Sequence, residues 1–240
     1  MSSIDLPPSK LGTKKHWDGV YSSELTNFKE IGDEGEVWFG EDSVEKMVDW
    51  ALEHVAPDPP PSILEAGAGN GNLLFALHEA GYAPGRICGL DYSADAVKLA
   101  RAIALSKAQE GDASGEGPDM ITFIECDFLA EDVPPLHSEA APATWDLVLD
   151  KGTFDAMALA GQDVRGVNIA DGYPSRIGRA VKPGGYFLIT SCNFTEEELK
   201  SRFAAPETGL TYHSRIPFPS FSFGGKSGNV YSSVAFQKQP

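Results

Sequence analysis

From about residue 60 onward, short apolar runs alternate with amphipathic stretches of helical spacing, and this alternation narrows the fold more than any other property of the chain. "SILEAG", "RICGLD", "MITFIECDF", "TWDLVLDKG" and "GGYFLITSC" read as five strands, the last entered through a turn at "KPGG". "GNLLFALHEAGY" reads as a helix ending near Gly81, and "SADAVKLARAIALSKAQ" as a helix opened by Ser93 as its N-cap. Strands separated by helices make a parallel, doubly wound sheet. "EGDASGEGPD" and "EDVPPLHSEAAPA" read as surface loops. The last third departs from this alternation, because "TGLTYHSRIPFPSFSFGGKSGNVYSSVAFQKQ" holds two β-rich runs joined by a Pro/Gly-rich turn with no helix between them. Strands joined in this way are antiparallel neighbours.

The 240 residues, 42% hydrophobic and 22% charged, suit a globular protein with a substantial core. A net charge of −16 repels phosphate backbones and anionic lipid, so neither nucleic acid nor a membrane is expected as a direct partner, whereas a basic protein would be attracted. Apolar runs stay well short of a membrane span and the start lacks the apolar centre of a secretory signal, so the expected location is intracellular and cytoplasmic. Cys88, Cys126 and Cys192 are odd in number, widely spaced and without a CxxC pair, and read as buried reduced thiols; no metal is expected.

The loop "EAGAGNG" after the first strand carries Gly67, Gly69 and Gly71. A dinucleotide fingerprint asks for G-x-G-x-x-G, but Asn72 stands where its third glycine would be. The loop therefore leans towards S-adenosylmethionine, which has no pyrophosphate, and away from a nicotinamide cofactor. Asp91, ending "RICGLD", can accept from both ribose hydroxyls of either ligand, and Tyr92 offers a face for adenine or a packing surface. Asp127 and Phe128 repeat the pairing of an acceptor with a ring after the third strand; a helix cap plus a core phenylalanine is the other reading. "DLVLDKGTFDAMAL" brings Asp150, Lys151 and Asp155 to the carboxyl end of the fourth strand, where ligands bind in open α/β sheets. A parallel start closed by an antiparallel ending gives the expected fold class, α/β, a Rossmann-like seven-stranded methyltransferase sheet, mostly parallel with an antiparallel C-terminal hairpin and helices on both faces.

"LGTKKHWDGVYSSEL", "WFG", "LEAGAGNG", "GLDYS", "DKGTFDA" and "VKPGGYFLITSCNFTEEEL" together resemble the seven-β-strand lysine methyltransferases that modify translation elongation factor 1-alpha, over nearly the whole chain. Glu65 departs from the commoner aspartate, and Ala66 and Ala68 are smaller than many relatives carry, changes expected to alter donor affinity more than the reaction. The resemblance implies one methyltransferase domain over 1–240, with 1–55 as a helical lid and 56–240 as the sheet core, acting as a monomer. It implies S-adenosylmethionine contacts at Trp17, Tyr21, Trp38, Glu65, Gly67, Gly69, Asp91, Tyr92, Asp127, Phe128 and Lys151. For Trp17 and Tyr21, four residues apart on one helix face, a stripe that merely docks the N-terminal segment is the alternative; Trp38 and Phe39 have the same ambiguity.

In that reading a lysine side chain of the elongation factor attacks the donor methyl in line, and the protein must align it and present it uncharged, against an ordinary pKa of about 10.4. Asp150 and Asp155 are expected to orient the amine by hydrogen bonds. The chief alternative is a small-molecule methyltransferase on the same fold, which would need a covering helical insertion between strands five and six; a non-catalytic binding module is a further one.

Overall fold

A computed structural model describes residues 6–110, 117–135, 144–218, 220–223 and 226–240, with the backbone alone described at 220–223 and 226–229. The strands are β1 (Ile63–Ala66), β2 (Ile87–Asp91), β3 (Thr122–Glu125), β4 (Trp145–Lys151), β5 (Val181–Ser191), β6 (Leu210–Ile216), β7 (Ser220–Phe223), β8 (Lys226–Asn229) and β9 (Ser232–Lys238). The helices are α1 (Lys14–Ile31), α2 (Glu41–His54), α3 (Asn72–Glu79), α4 (Ala94–Glu110), α5 (Thr153–Ala158), α6 (Tyr173–Ala180) and α7 (Glu196–Phe203). One seven-stranded sheet runs β3-β2-β1-β4-β5-β9-β6. The first five strands pair in parallel, and β9 is antiparallel to both β5 and β6. The expected fold class is borne out. The antiparallel ending is more elaborate than a single hairpin, because β9 inserts between β5 and β6 and a separate β7–β8 ribbon occupies the connection.

Strand residues alternate between two buried layers, which explains why the sequence shows continuous apolar runs rather than polar alternation. Ile63, Leu147, Leu149, Leu188 and Ala235 face the layer built with α1 to α4. Leu64, Val148, Phe187, Ile189, Val234 and Phe236 face the layer built with α5 to α7. Each of these larger side chains contributes roughly 1.5–3 kcal/mol by leaving water.

Local signals place the helices that matter for the site. Thr13 caps α1 by accepting from the His16 amide, and Gly32 ends it at φ 75°. Trp17, Tyr21 and Leu25 form the buried stripe between. Ser93 precedes α4 as expected, yet its hydroxyl has no hydrogen-bond partner; Asp91 instead takes the Ser93 amide at 2.8 Å. "KPGG" is not a free turn but the opening of β5, where the register with β4 shifts between Trp145 and Leu147. Cys88 and Cys126 are buried, whereas Cys192 is exposed just past β5, a correction to the expectation of three buried thiols. The loops expected around 110–119 and 131–143 fall largely outside the described residues.

The described part of the first 55 residues does two jobs. The chain up to Phe39 wraps one end of the sheet, but α2 belongs to the core: Val44, Met47, Val48, Trp50 and Ala51 are buried, and Trp50 donates to the Ser214 hydroxyl of β6 at 2.9 Å. Between β5 and β6 the chain forms α7, opened by a reciprocal Thr195–Glu198 capping box and buried through Leu199 and Phe203 in the layer with α5 and α6.

Candidate active site

The carboxyl ends of β1, β2, β3 and β4 surround a cavity of about 310 Å³, within the range of small-ligand sites. Its floor is the loop Gly67–Asn70. The loop is tight because its glycines leave room for other parts of the chain. A Cβ on Gly67 would lie 2.0 Å from the Thr153 hydroxyl, which donates to the Ala66 carbonyl at 2.7 Å and so clips α5 to the end of β1. A Cβ on Gly69 would lie 2.5 Å from the Tyr21 hydroxyl.

Asp91 stands on the β2 side. One oxygen accepts from the Gly69 amide at 3.0 Å and the other from Ser93, so the carboxylate fixes the loop and still has lone pairs to offer. Burial pushes its pKa up to about 6, against the two amide bonds that lower it. Tyr92, Asp127 and Phe128 continue this wall. Asp127 accepts from the Leu129 amide at 3.0 Å. Phe128 sits edge-on to Tyr173 at 5.4 Å. Phe128 is thus a core residue as well as a wall residue, whereas Asp127 closes a turn rather than capping a helix. The Lys14 ammonium lies 5.3 Å from the Tyr92 ring centre.

The roof is aromatic. Trp17 donates to the Leu11 carbonyl at 2.6 Å and packs edge-on against Trp38 at 4.8 Å. Tyr21 lies one turn on, stacked at 6.1 Å. Asn70 holds the 33–36 loop over the floor by donating to the Glu34 carbonyl at 3.0 Å. Docking stripe and cavity roof are therefore the same residues.

Lys151 reaches from the end of β4 to the Trp38 carbonyl at 3.0 Å, joining sheet to roof. Burial lowers its pKa, opposed by Glu65 and Asp150. Glu65 lies behind the floor rather than on the wall, fully buried, its pKa pushed up to about 8 by burial and held back by Lys151. Its Oε2 has no partner within the protein. A floor of close-packed backbone and a carboxylate with spare acceptor capacity on the β2 side fit a donor carrying a ribose and a base.

All the cofactor residues expected from sequence except Glu65 border the cavity. The two expected amine-orienting acids do not. Asp150 is fully buried and spent on structure: its oxygens accept from the Thr153 amide at 2.8 Å, the Phe154 amide at 3.0 Å and the Tyr173 hydroxyl at 2.6 Å. It anchors the free N–H groups at the start of α5, so its placement near the reacting centre is corrected. Burial is the main cause that raises its pKa to about 7. Asp155 points to the end of β5, where Oδ1 accepts from the Ser191 hydroxyl at 2.8 Å and the Asn193 amide at 2.7 Å. Its Oδ2 is buried without a partner, and burial raises its pKa to about 6. Thr153 and Asn70 also line the cavity, though the sequence did not single them out as wall residues.

A family model described as a methyltransferase domain matches residues 58–216. The protein-lysine N-methyltransferase efm4 of Schizosaccharomyces pombe is 40% identical over 98% of this chain and 97% of its own length. The EEF1A lysine methyltransferase 2 of Homo sapiens is 38% identical over 96% of this chain and 88% of its own. Among solved structures, the Burkholderia thailandensis 1,6-didemethyltoxoflavin-N1-methyltransferase with bound S-adenosylhomocysteine superposes with a TM-score of 0.57 at 20% identity, covering 99% of this chain and 94% of that one, a likeness of fold alone.

Proposed function

This chain belongs to the S-adenosylmethionine-dependent protein-lysine N-methyltransferase family, and from that premise we propose that its acceptor is a lysine side chain of translation elongation factor 1-alpha. The observation that carries the reading is near-full-length similarity to enzymes of that name, joined to a cavity built at the family's expected positions. The net charge of −16 suits a basic protein acceptor. Among the described residues no helix is long and apolar enough to cross a membrane. A cytoplasmic monomer is part of the proposal.

Bound S-adenosylmethionine supplies an activated methyl group together with its own leaving group. The chain's part is positional. Gly67 and Gly69 let the floor pass beneath the methionine portion, and Glu65 backs that floor from behind. Asp91 accepts from ribose, Tyr92 and Phe128 border the base, and Asp127 is placed to accept from its amino group. Trp17, Tyr21 and Trp38 exclude water, and Lys151 holds Trp38 in place. Asp155 lies off the cavity at the end of β5, and its Oδ2, without a partner, is the group we assign to orienting the acceptor amine; Asp150 supports the helix that carries it. The amine must lose its proton before attack, and water is the acceptor we assign.

Incubation of the purified protein with labelled S-adenosylmethionine and elongation factor 1-alpha, followed by peptide mass spectrometry, tests the proposal. Label on a lysine of the factor is expected. Label confined to small molecules in a cell extract, or none on the factor, would refute it.

A further inference from the structure

Among the described residues, Phe39 is the one non-glycine residue with a positive φ, 65°. It occupies the third position of the turn Val37–Gly40, closed by the Gly40 amide donating to the Val37 carbonyl at 2.9 Å. Turns of positive φ at that position favour glycine, and a bulky aromatic there is an outlier that calls for a reason. The ring's surroundings supply one. It lies close enough to Gly152 that a Cβ added there would sit 2.9 Å from the Phe39 Cζ. Its aromatic neighbours are Tyr231, with ring centres 4.8 Å apart and planes 31° apart, and Trp38, edge-on at 6.4 Å. Tyr231 in turn meets Phe218 edge-on at 5.6 Å.

Gly152 itself lines the cavity, just beyond Lys151. Sheet order puts β2 and β3, with Asp91 and Asp127, on one side of β1, and β4, β5 and β9 on the other. Tyr231 immediately precedes β9, whose Ser232 pairs with Ser191 at the end of β5. The Phe39–Tyr231 pair does not border the cavity itself but adjoins it behind Gly152, on the side away from the carboxylates suited to ribose and base, which leaves that side for the acceptor. Both rings are partly exposed.

We propose that Phe39, backed by Tyr231, is a specificity-determining residue that forms the wall along which the acceptor lysine enters. The inference rests on the lysine-methyltransferase reading above. The rings pack on each other, so they make one continuous face rather than the two sides of a slot. The lysine stem lies along that face, the π surface attracts the arriving ammonium, and exclusion of water favours the neutral amine at the end of the path. A glycine at position 39 would satisfy the backbone better but remove the ring that covers Gly152 on this side.

That contrast gives the test. Phe39→Gly and Phe39→Tyr are compared with wild type by steady-state methylation of elongation factor 1-alpha, by S-adenosylmethionine titration calorimetry and by thermal melting. The expected result for Phe39→Gly is a fall of at least about tenfold in kcat/KM for the protein acceptor, carried mostly by KM. Donor Kd should stay within about twofold and Tm should be unchanged or higher, because the strained φ is relieved. Phe39→Tyr should restore most of the activity. Unaltered kcat/KM in Phe39→Gly overturns the proposal, as does a parallel loss of donor affinity. A lower Tm than wild type would make the ring a packing element and overturns it as well. An inactive wild type removes the substrate reading itself, whereas an active wild type with an equally active Phe39→Gly removes only Phe39.

Discussion

Tyr173→Phe is the sharpest way to separate an anchoring role of Asp150 from a catalytic one. The substitution deletes one oxygen, whose 2.6 Å hydrogen bond to Asp150 Oδ2 lies in a fully buried site. Asp150 keeps the Thr153 and Phe154 amides, so no buried acceptor is orphaned, and the loss is that of one hydrogen bond to a charged group, about 1.5–3 kcal/mol. For a chain of 240 residues each kcal/mol moves Tm by roughly 2–4 °C, giving a fall of roughly 3–12 °C at pH 8. The pH dependence adds a second constraint. Asp150 is raised from 3.8 to about 7, so the fold holds a proton that the unfolded chain releases near pH 4. The stability from that proton is complete below about pH 4 and lost as pH rises through about 7. At pH 5 the pair is neutral, and its bond is worth only about 0.5–1.5 kcal/mol, so the gap in Tm between variant and wild type should be smaller than at pH 8. Melting curves at both pH values, with donor titration calorimetry, supply the assay. A Tm unchanged at pH 8, or a loss of turnover without a loss of Tm, would refute the anchoring role.

Three further changes probe the site and the residues behind it. Glu65→Gln should flatten the decline of Tm between about pH 5 and 8.5, since a carboxyl raised from 4.5 to about 8 stabilises the fold below its unfolded pKa and loses that contribution as pH rises through 8; parallel curves would contradict it. Gly69→Ala places a methyl 2.5 Å from the Tyr21 hydroxyl at φ 55°, a strain of about 1–2 kcal/mol, and should weaken donor binding roughly tenfold; unchanged calorimetry argues against the roof contact. Asp155→Asn retains the acceptor for Ser191 and Asn193 but removes the charge at the free oxygen, and should cut kcat at least about tenfold at constant donor Kd; equal loss of both assigns Asp155 to the donor site instead.

The sheet and the donor wall were readable because period and position carry them. Asp91, Tyr92, Asp127 and Lys151 stand at carboxyl ends of strands, and in an open α/β sheet that position alone puts a residue beside the crevice. The direction of a carboxylate at such an end is a different matter. Asp150 lies just ahead of α5, and the unpaired N–H groups of that helix compete with the cavity for the same oxygens; the helix won. An acid followed three residues later by a helix start was the available signal. The division of the first 55 residues was unreadable for another reason: α2 looks like any amphipathic helix until Trp50 meets Ser214, a partner 164 positions away. Phe39 was legible only as a lid or docking residue beside Trp38, because nothing in "VWFG" announces that the phenylalanine rather than the glycine takes the third turn position.

The strand order has a consequence for assembly. β9 follows the other described strands in sequence yet sits between β5 and β6, so β6 has no neighbour in the sheet until β9 is in place. Before that moment two hydrogen-bonding edges face solvent, each with apolar side chains beside it, and such edges recruit other chains. Tyr231 enters with the same strand, so the acceptor side next to the cavity is finished at the step that closes those edges. A polypeptide cut ahead of Ser232 would accordingly be lost to association with its copies rather than persist as a donor-binding fragment.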